Sequence, residues 1–395
     1  MRKDVLASLD IGTSYSKLLV AKKTKKENKI EILFQGKEKH LGVRRGEIYK
    51  IEDVKKSIVK LLSLAKKQGI EKLERVILSI GGSRIYSIES QGAISVSRAD
   101  QKISQEDIQR VIEQAQAVNL PQNVEILDIF PKEFIVDKEK VIEDPLGLKG
   151  VRLELKAVLA CGYSQAIENL TKCVEELNLE IEDIIPSPLA SARACLSDQA
   201  KELGAGIIDL GARTTALAFF EEQKLLGFSI LPLGSAKITD DIALGLRIDI
   251  QTAERIKREF GGLFLKKGKK EKIELKKGEI SFNQKFLKSI ITARINQIFS
   301  QLEKEIKKFG PRERFPAGII FTGGGRELPG LIDYAKQKLK LPCQKGTCLE
   351  IPEIEDPSFH VCAGLLLLFY DQKKEKERSK TFFSKIKRLL AKIIP

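Results

Sequence analysis

The sequence predicts a two-domain α/β protein with an α+β unit inserted in its first half and an amphipathic helix at its C-terminal end. Three stretches predict the two-domain core. Residues 6–20, LASLDIGTSYSKLLV, read as two apolar strands joined by a tight turn, Asp10-Ile11-Gly12-Thr13-Ser14. Residues 206–220, GIIDLGARTTALAFF, repeat that pattern with Asp209, Gly211, Thr214 and Thr215. Residues 317–331, AGIIFTGGGRELPGL, are a strand running into Gly323-Gly324-Gly325 and then a helix.

Each stretch has a chemical reading. Glycine and small hydroxyl residues at a hairpin bend leave backbone N–H groups free to face an anion. Asp10 precedes the first bend and is placed to hold Mg²⁺, usually through water, because magnesium takes a carboxylate or two and completes its shell with water and phosphate oxygens. Lys17 is placed to neutralise a phosphate. Triple glycine lets the backbone approach a flat ring or a phosphate where side chains would collide. A lone Asp-x-Gly hairpin is ordinary, but two of them in different halves, followed by strand–Gly-Gly-Gly–helix, resemble the actin-like ATPase superfamily, with its two phosphate loops and its adenosine loop.

Size and charge set bounds. At 395 residues the chain is too long for one compact core. The 42% hydrophobic content is ordinary for a globular protein. A net charge of +15 favours an anionic partner without choosing among nucleic acid, anionic membrane and phosphates. No helix-turn-helix, zinc-finger or RNA-binding signature is present, so nucleic acid is not expected as a partner. The N-terminus lacks the apolar core of a signal peptide, and the longest apolar run, near Ala363 to Tyr370, is too short to span a bilayer. Six cysteines without metal-ligand spacing read as reduced cytosolic thiols, mostly in the core. Two histidines, His40 and His360, leave little basis for a His-based zinc site or Ser-His-Asp chemistry.

In chain order, residues 1–83 form the first part of domain one. They hold the first hairpin, a Lys-rich turn at 22–29, a strand near 30–35, and a helix near 51–68. In that helix Val54, Ile58, Leu61, Leu62 and Ala65 fall at helical spacing, and Gly69 ends it. VILSIGG at 76–82 reads as a buried strand entering a glycine turn. Residues 84–165 change character: an alternating strand, a helix capped by Ser104 with Asp107 three residues on, and two strand-rich stretches around EDPLGLKG. Ile108, Val111, Ile112, Ala115 and Val118 form that helix's apolar face. Residues 166–202 return to domain one and contain an interdomain helix. Domain two is expected over 203–370, with a lower subdomain near 240–310. Within it, KKGKKEKIELKKGE at 266–279 reads as a solvated hairpin or loop, and a helix over 284–308 is apolar at Phe286, Ile290, Ile291, Ile298 and Leu302.

The insert narrows the resemblance. GGSRIYSIESQGAISV, ISQEDIQRVIEQA, FPKEFIVD and DPLGLKGVRLE resemble the insert domain that distinguishes FtsA proteins from actin, MreB and the DnaK-type chaperones. PSPLASARACL, LPLGSAKITDDIALGL, TAERIKREFG and FTGGGRELPGL extend the similarity over nearly the whole chain. The FtsA resemblance implies a cytoplasmic, ATP- and Mg²⁺-binding, polymerising protein on the inner face of the cell membrane at the division site. There it would tether FtsZ filaments through their C-terminal peptide and meet other divisome proteins through the insert. It also implies that Asp10, Gly12, Thr13, Ser14 and Lys17 cradle the phosphates from one side. Gly211, Thr214 and Thr215 would do so from the other, with Asp209 near the Mg²⁺, Gly323, Gly324, Gly325 and Arg326 backing the adenosine, Glu254 and Lys257 holding ribose and base, and Arg294 on the FtsZ-binding helix.

Two departures bear on turnover. Ala212, Arg213 and Ala216 replace two glycines and an aspartate of the second loop, although Arg213 could itself reach phosphate oxygens. Ser187 stands where relatives place a Gln or Glu that orients the attacking water, and it is a poor substitute. ATP hydrolysis is therefore expected to be slow or absent.

Residues 371–380 read as a charged linker or helix extension, and 381–395, TFFSKIKRLLAKIIP, as a membrane-targeting helix. Phe382, Phe383, Ile386, Leu389, Leu390, Ile393 and Ile394 form a helical stripe, with Lys385, Lys387, Arg388 and Lys392 off it. The alternative within the superfamily is a PilM-like pilus-assembly scaffold that binds ATP, and the basic tail argues against it. A sugar or acid kinase would need a catalytic aspartate on a substrate loop, and a chaperone would need a further domain after residue 370.

Overall fold

The computed structural model describes residues 5–373 apart from 25–28, 71, 265–269 and 276–277. The chain opens with the expected hairpin, β1 (Val5–Ile11) and β2 (Tyr15–Lys23), then β3 (Ile30–Lys39), a small hairpin of β4 (Val43–Arg44) and β5 (Glu47–Ile48), α1 (Ile51–Lys67) and β6 (Arg75–Ile80). The insert supplies β7 (Ile85–Ser95), α2 (Gln105–Gln116), β8 (Val124–Val136), β9 (Lys140–Ile142) and β10 (Arg152–Tyr163). Next come α3 (Ser164–Glu175), β11 (Glu180–Pro186), α4 (Ser187–Cys195) and α5 (Asp198–Leu203). The second hairpin is β12 (Ala205–Leu210) with β13 (Thr215–Glu221), followed by β14 (Lys224–Leu231), α6 (Ala236–Leu246) and α7 (Ile250–Phe260). The remainder is β15 (Lys270–Leu275), β16 (Gly278–Asn283), α8 (Gln284–Phe309), β17 (Gly318–Thr322), α9 (Leu331–Leu339) and β18 (Cys343–Lys345), then a helix over 360–373, called α10.

The two large sheets repeat one topology. The first runs β3-β2-β1-β6-β11 and the second β14-β13-β12-β17-β18. In each, the hairpin and its third strand pair antiparallel, while the two later strands join parallel. Parallel strands need a crossover, and the first sheet's crossovers carry α1, the insert and α3. Strands buried on both faces read as continuous apolar runs rather than alternating ones. Ile207 packs into the core shared with the first sheet and its neighbour Ile208 into the core of α6 to α9. α4 and α10 belong to the shared core, and Ser8 of β1 donates to the Cys362 carbonyl of α10 at 2.8 Å.

Local chemistry explains the elements that frame the cleft. α1 buries Val54, Ile58, Leu61 and Ala65, and Gly69 follows at φ 87°, where a Cβ would be strained. The expected cap of α2 is a reciprocal box: Ser104 Oγ accepts from Asp107 N–H at 3.2 Å and the Asp107 carboxylate from Ser104 N–H at 3.0 Å. Burial opposes ionisation of Asp107, but donors from Ser104 and Ser97 outweigh it and hold the carboxyl at about 2. α2 ends at Gln116, two residues short of Val118.

One sequence expectation shifts here, and two that left alternatives are narrowed. On α8, Phe286 is half exposed and its neighbour Leu287 takes the buried position; Ile291, Ile298 and Leu302 are buried as expected. Within the basic stretch at 266–279, the described residues 270–275 and 278–279 belong to a hairpin, β15–β16. Residues 371–373 continue α10, which favours helix extension over linker for that part. The membrane-helix residues Phe382, Phe383, Lys385, Ile386, Arg388, Leu389, Leu390 and Ile393 lie outside the described residues, as does the middle of the Lys-rich turn. No described helix is long and apolar enough to cross a membrane. All six cysteines are free and buried.

Candidate functional site

The two hairpins meet at one cleft and are built alike. Gly12 N–H donates to the Tyr15 carbonyl at 3.0 Å, and Gly211 N–H to the Thr214 carbonyl at 2.9 Å, so the same turn closes both. Strand register then decides the chemistry. β1 sets Asp10 opposite Lys17, whereas β12 sets Asp209 opposite Ala216. The second loop therefore lacks the lysine of the first, and one ammonium serves two carboxylates. Lys17 Nζ donates to Asp10 Oδ2 at 2.5 Å, and Ser79 Oγ at the end of β6 donates to Asp10 Oδ1 at 2.5 Å. Burial opposes the Lys17 charge, but Asp10 beside it and Asp209 beyond raise its pKa above the ordinary value. Asp209 is pushed up to about 6 by burial; Lys17 opposes that shift and the Asp10 charge adds to it. Ser191 Oγ of α4 donates to Asp209 Oδ2 at 3.2 Å.

Two carboxylates sharing one cation in a buried cleft form a donor set that suits a hydrated Mg²⁺, which would offset the burial, and the smaller repulsion from Asp10, that raise Asp209. The glycine loop fits a ligand too. A Cβ on Gly323, at φ 78°, would stand 2.1 Å from Asp209 Oδ1, and one on Gly325 would stand 2.5 Å from Leu210 Cγ. A Cβ on Gly324 would meet nothing within 4 Å. The outer glycines let the loop pack on β12; the middle one faces open space.

The structure brings together Asp10, Lys17 and Asp209 with Gly323 and Gly325 of the glycine loop, and Gly12 and Gly211 close the turns that follow the two aspartates. Several other expected contacts are redirected. Thr215 is fully buried and its hydroxyl donates to the Leu233 carbonyl at 2.7 Å, so it props the loop from beneath. Arg213 is held by Asp240 of α6 at 2.5 and 3.1 Å rather than left free for phosphate oxygens. Arg326 is buried and donates to the Gly346 carbonyl and, at 2.9 Å, to Glu327; it fastens the glycine loop instead of lining it. Glu254 and Lys257 pair at 2.6 Å on α7 and share Thr239 of α6, at 2.5 and 2.8 Å. They stand beside the second loop: Lys257 Nζ lies 3.5 Å from the Ser235 carbonyl, and Ser235 Oγ donates to Gly211 O at 3.0 Å. Arg294 is a fifth exposed and clamps Asp241 at 2.6 and 2.7 Å, tying α8 to α6. Ser187 is the first residue of α4.

Sequence reasoning missed Ser79 and Ser191, the hydroxyls that fix the two carboxylates. A signal for Ser191 existed: it lies four residues after Ser187, on the same helical face.

A repeated five-stranded sheet, each copy opening on an Asp-x-Gly hairpin at a common cleft, defines the actin-like class of fold. A chain of the PilM–PilN type IV pilus biogenesis complex superposes with a TM-score of 0.64 at 17% identity, covering 92% of this chain and 97% of that one. MreB 5 of Spiroplasma citri bound to AMPPNP superposes at 0.59 and 16% identity, covering 96% and 100%. Sequence similarity then singles out one family. Residues 206–364 match the model of the cell division protein FtsA, and residues 82–160 match that of the SHS2 domain inserted in FtsA. FtsA of Bacillus subtilis is 33% identical over 92% of this chain and 83% of its own length, and FtsA of Neisseria meningitidis 33% identical over 91% and 89%. The Escherichia coli protein is 26% identical over 92% and 90%. The chain belongs to the FtsA family of cell division proteins.

Proposed function

We propose that the protein binds Mg²⁺–ATP in this cleft, polymerises, and links FtsZ filaments to the inner face of the cytoplasmic membrane during division. The pair Asp10 and Asp209 with Lys17 between them carries the nucleotide reading. Asp10, Asp209 and the intervening lysine would hold the metal and phosphates, the hairpin N–H groups would face the phosphate oxygens, and the glycine loop would back the base. The metal would neutralise phosphate charge. Ser191 and Ser79 orient the carboxylates, and Ser187 offers no strong base for water, so slow turnover is expected. The MreB neighbours carry AMPPNP and ADP, and a filament of MamK shares the fold at a TM-score of 0.54, which supports nucleotide binding and self-assembly. Tethering rests on family membership and on the basic amphipathic pattern of 381–395. The FtsZ peptide would dock on the subdomain near 240–310, where Arg294 is already engaged by Asp241 and would have to share that partner. The insert is the proposed contact for other divisome proteins. The PilM-like reading has the fold in its favour, but the sequence matches belong to FtsA.

Titration calorimetry with Mg²⁺–ATP tests the cleft. Asp10→Asn and Asp209→Asn should each weaken binding at least about tenfold, the scale of losing one buried charge contact. Unchanged affinity in both would reject the site.

A further inference from the structure

The small hairpin after the first sheet reaches the second phosphate loop. β4 and β5 pair as Val43 with Ile48 and Arg44 with Glu47, which leaves Arg45-Gly46 as a two-residue turn. Both residues lie at positive φ, 51° and 85°. Asn-Gly and Gly-Gly are the sequences such a turn prefers, and a residue with arginine's bulk is strained there. Gly46 is pressed between the two halves: a Cβ on it would stand 2.4 Å from Gly82 Cα and 3.2 Å from Thr214 Cγ2. The turn is thus carried by one half of the molecule and rests on the phosphate loop of the other.

Several cations around the cleft are already engaged. Lys17 is spent on Asp10, Arg213 on Asp240, Lys257 on Glu254 and Arg326 on Gly346 and Glu327. Arg84 pairs with Glu47, and the Arg44 guanidinium lies 4.3 Å from the centroid of the Tyr49 ring. Arg45 is exposed and makes no hydrogen bond, ion pair or ring contact among the described residues. A strained backbone carrying a long, uncommitted guanidinium beside an anion-binding loop is the kind of strain that persists where function requires it. Guanidinium matches phosphate oxygens in a two-pronged geometry that an ammonium cannot reproduce.

We propose that Arg45 is a ligand-binding residue that senses the terminal phosphate of a bound nucleoside triphosphate. It rests on the nucleotide reading above. With a triphosphate in the cleft, Arg45 gains a partner across the interface and holds the two halves together; with a diphosphate, that partner is missing and the turn is released from it.

The test uses the full chain, Mg²⁺ with ATP or ADP, and calorimetry on the wild type, Arg45→Gly and Arg45→Lys. Glycine suits the turn, so Arg45→Gly should fold, with a melting temperature without nucleotide equal to or above the wild type. Its ATP affinity should fall about tenfold with ADP affinity unchanged, and Arg45→Lys should recover part of the loss. Equal ATP affinity in wild type and Arg45→Gly overturns the assignment, as does an equal loss for ATP and ADP. A wild type that binds neither nucleotide rejects the nucleotide reading itself, and this assignment with it.

Discussion

Asp209 carries the clearest pH signature of the cleft. Its carboxyl ionises at about 6 in the folded protein against an ordinary value of 3.8. The shift is upward, so ionising it costs stability, and that cost grows as pH rises from about 4 and is complete above about 6. A cation binding to the ionised form recovers the cost. The apparent affinity for Mg²⁺–ATP should therefore drop as pH falls from 7.5 to 5.5, and Asp209→Asn should flatten that profile; a wild-type profile as flat as the variant's would contradict the account. The two aspartates were legible in the sequence because a continuous apolar run ends at each Asp-x-Gly, which fixes which residue meets the turn. The fates of Thr215, Arg213 and Arg326 were not legible. Each is decided by a partner from a separate element: the Leu233 carbonyl, Asp240 of α6, and the Gly346 carbonyl. A charged residue beside a phosphate loop looks the same in sequence whether it faces the ligand or a neighbouring helix.

The glycine loop shows how an element enforces the site. Gly323 must be glycine on two grounds, its φ of 78° and the 2.1 Å approach its Cβ would make to Asp209 Oδ1. Gly324 meets neither condition. Gly323→Ala should cost at least about 2 kcal/mol of unfolding free energy in denaturant titration and abolish tight nucleotide binding. Gly324→Ala should leave stability within about 0.5 kcal/mol. Equal behaviour of the two variants would refute the close-packing account. Strands and helices here were readable because their periods are strong, as on α1 and α8. The exchange of Phe286 for Leu287 on α8 was not, because adjacent apolar residues compete for one helical face and tertiary packing chooses between them. α4 was read as an interdomain helix, yet its two-ended role emerges only in three dimensions. Ser191 touches Asp209 in the cleft, and Arg193, two residues on, holds Glu350 at 2.6 Å and Asp371 of α10 at 2.6 Å.

At the scale of the whole molecule, two similar sheets enclose a cleft whose charge balance depends on both halves at once. Ala216 in place of a second lysine makes the site incomplete in either half alone, so a ligand bridging the loops favours one relative arrangement of the halves by its differential affinity. That coupling is what a nucleotide-dependent polymer needs. Repetition of subunits would then convert a weak basic tail into firm attachment, because avidity multiplies individually marginal membrane contacts. The net charge of +15 acts in the same direction at an anionic surface and weakens with salt. Co-sedimentation with anionic liposomes, with and without Mg²⁺–ATP, tests nucleotide-dependent tethered assembly most directly. The full chain is compared with a version ending at Arg378. The account predicts ATP-promoted pelleting of the full chain alone; both versions remaining in the supernatant, or both pelleting regardless of ATP, would contradict it.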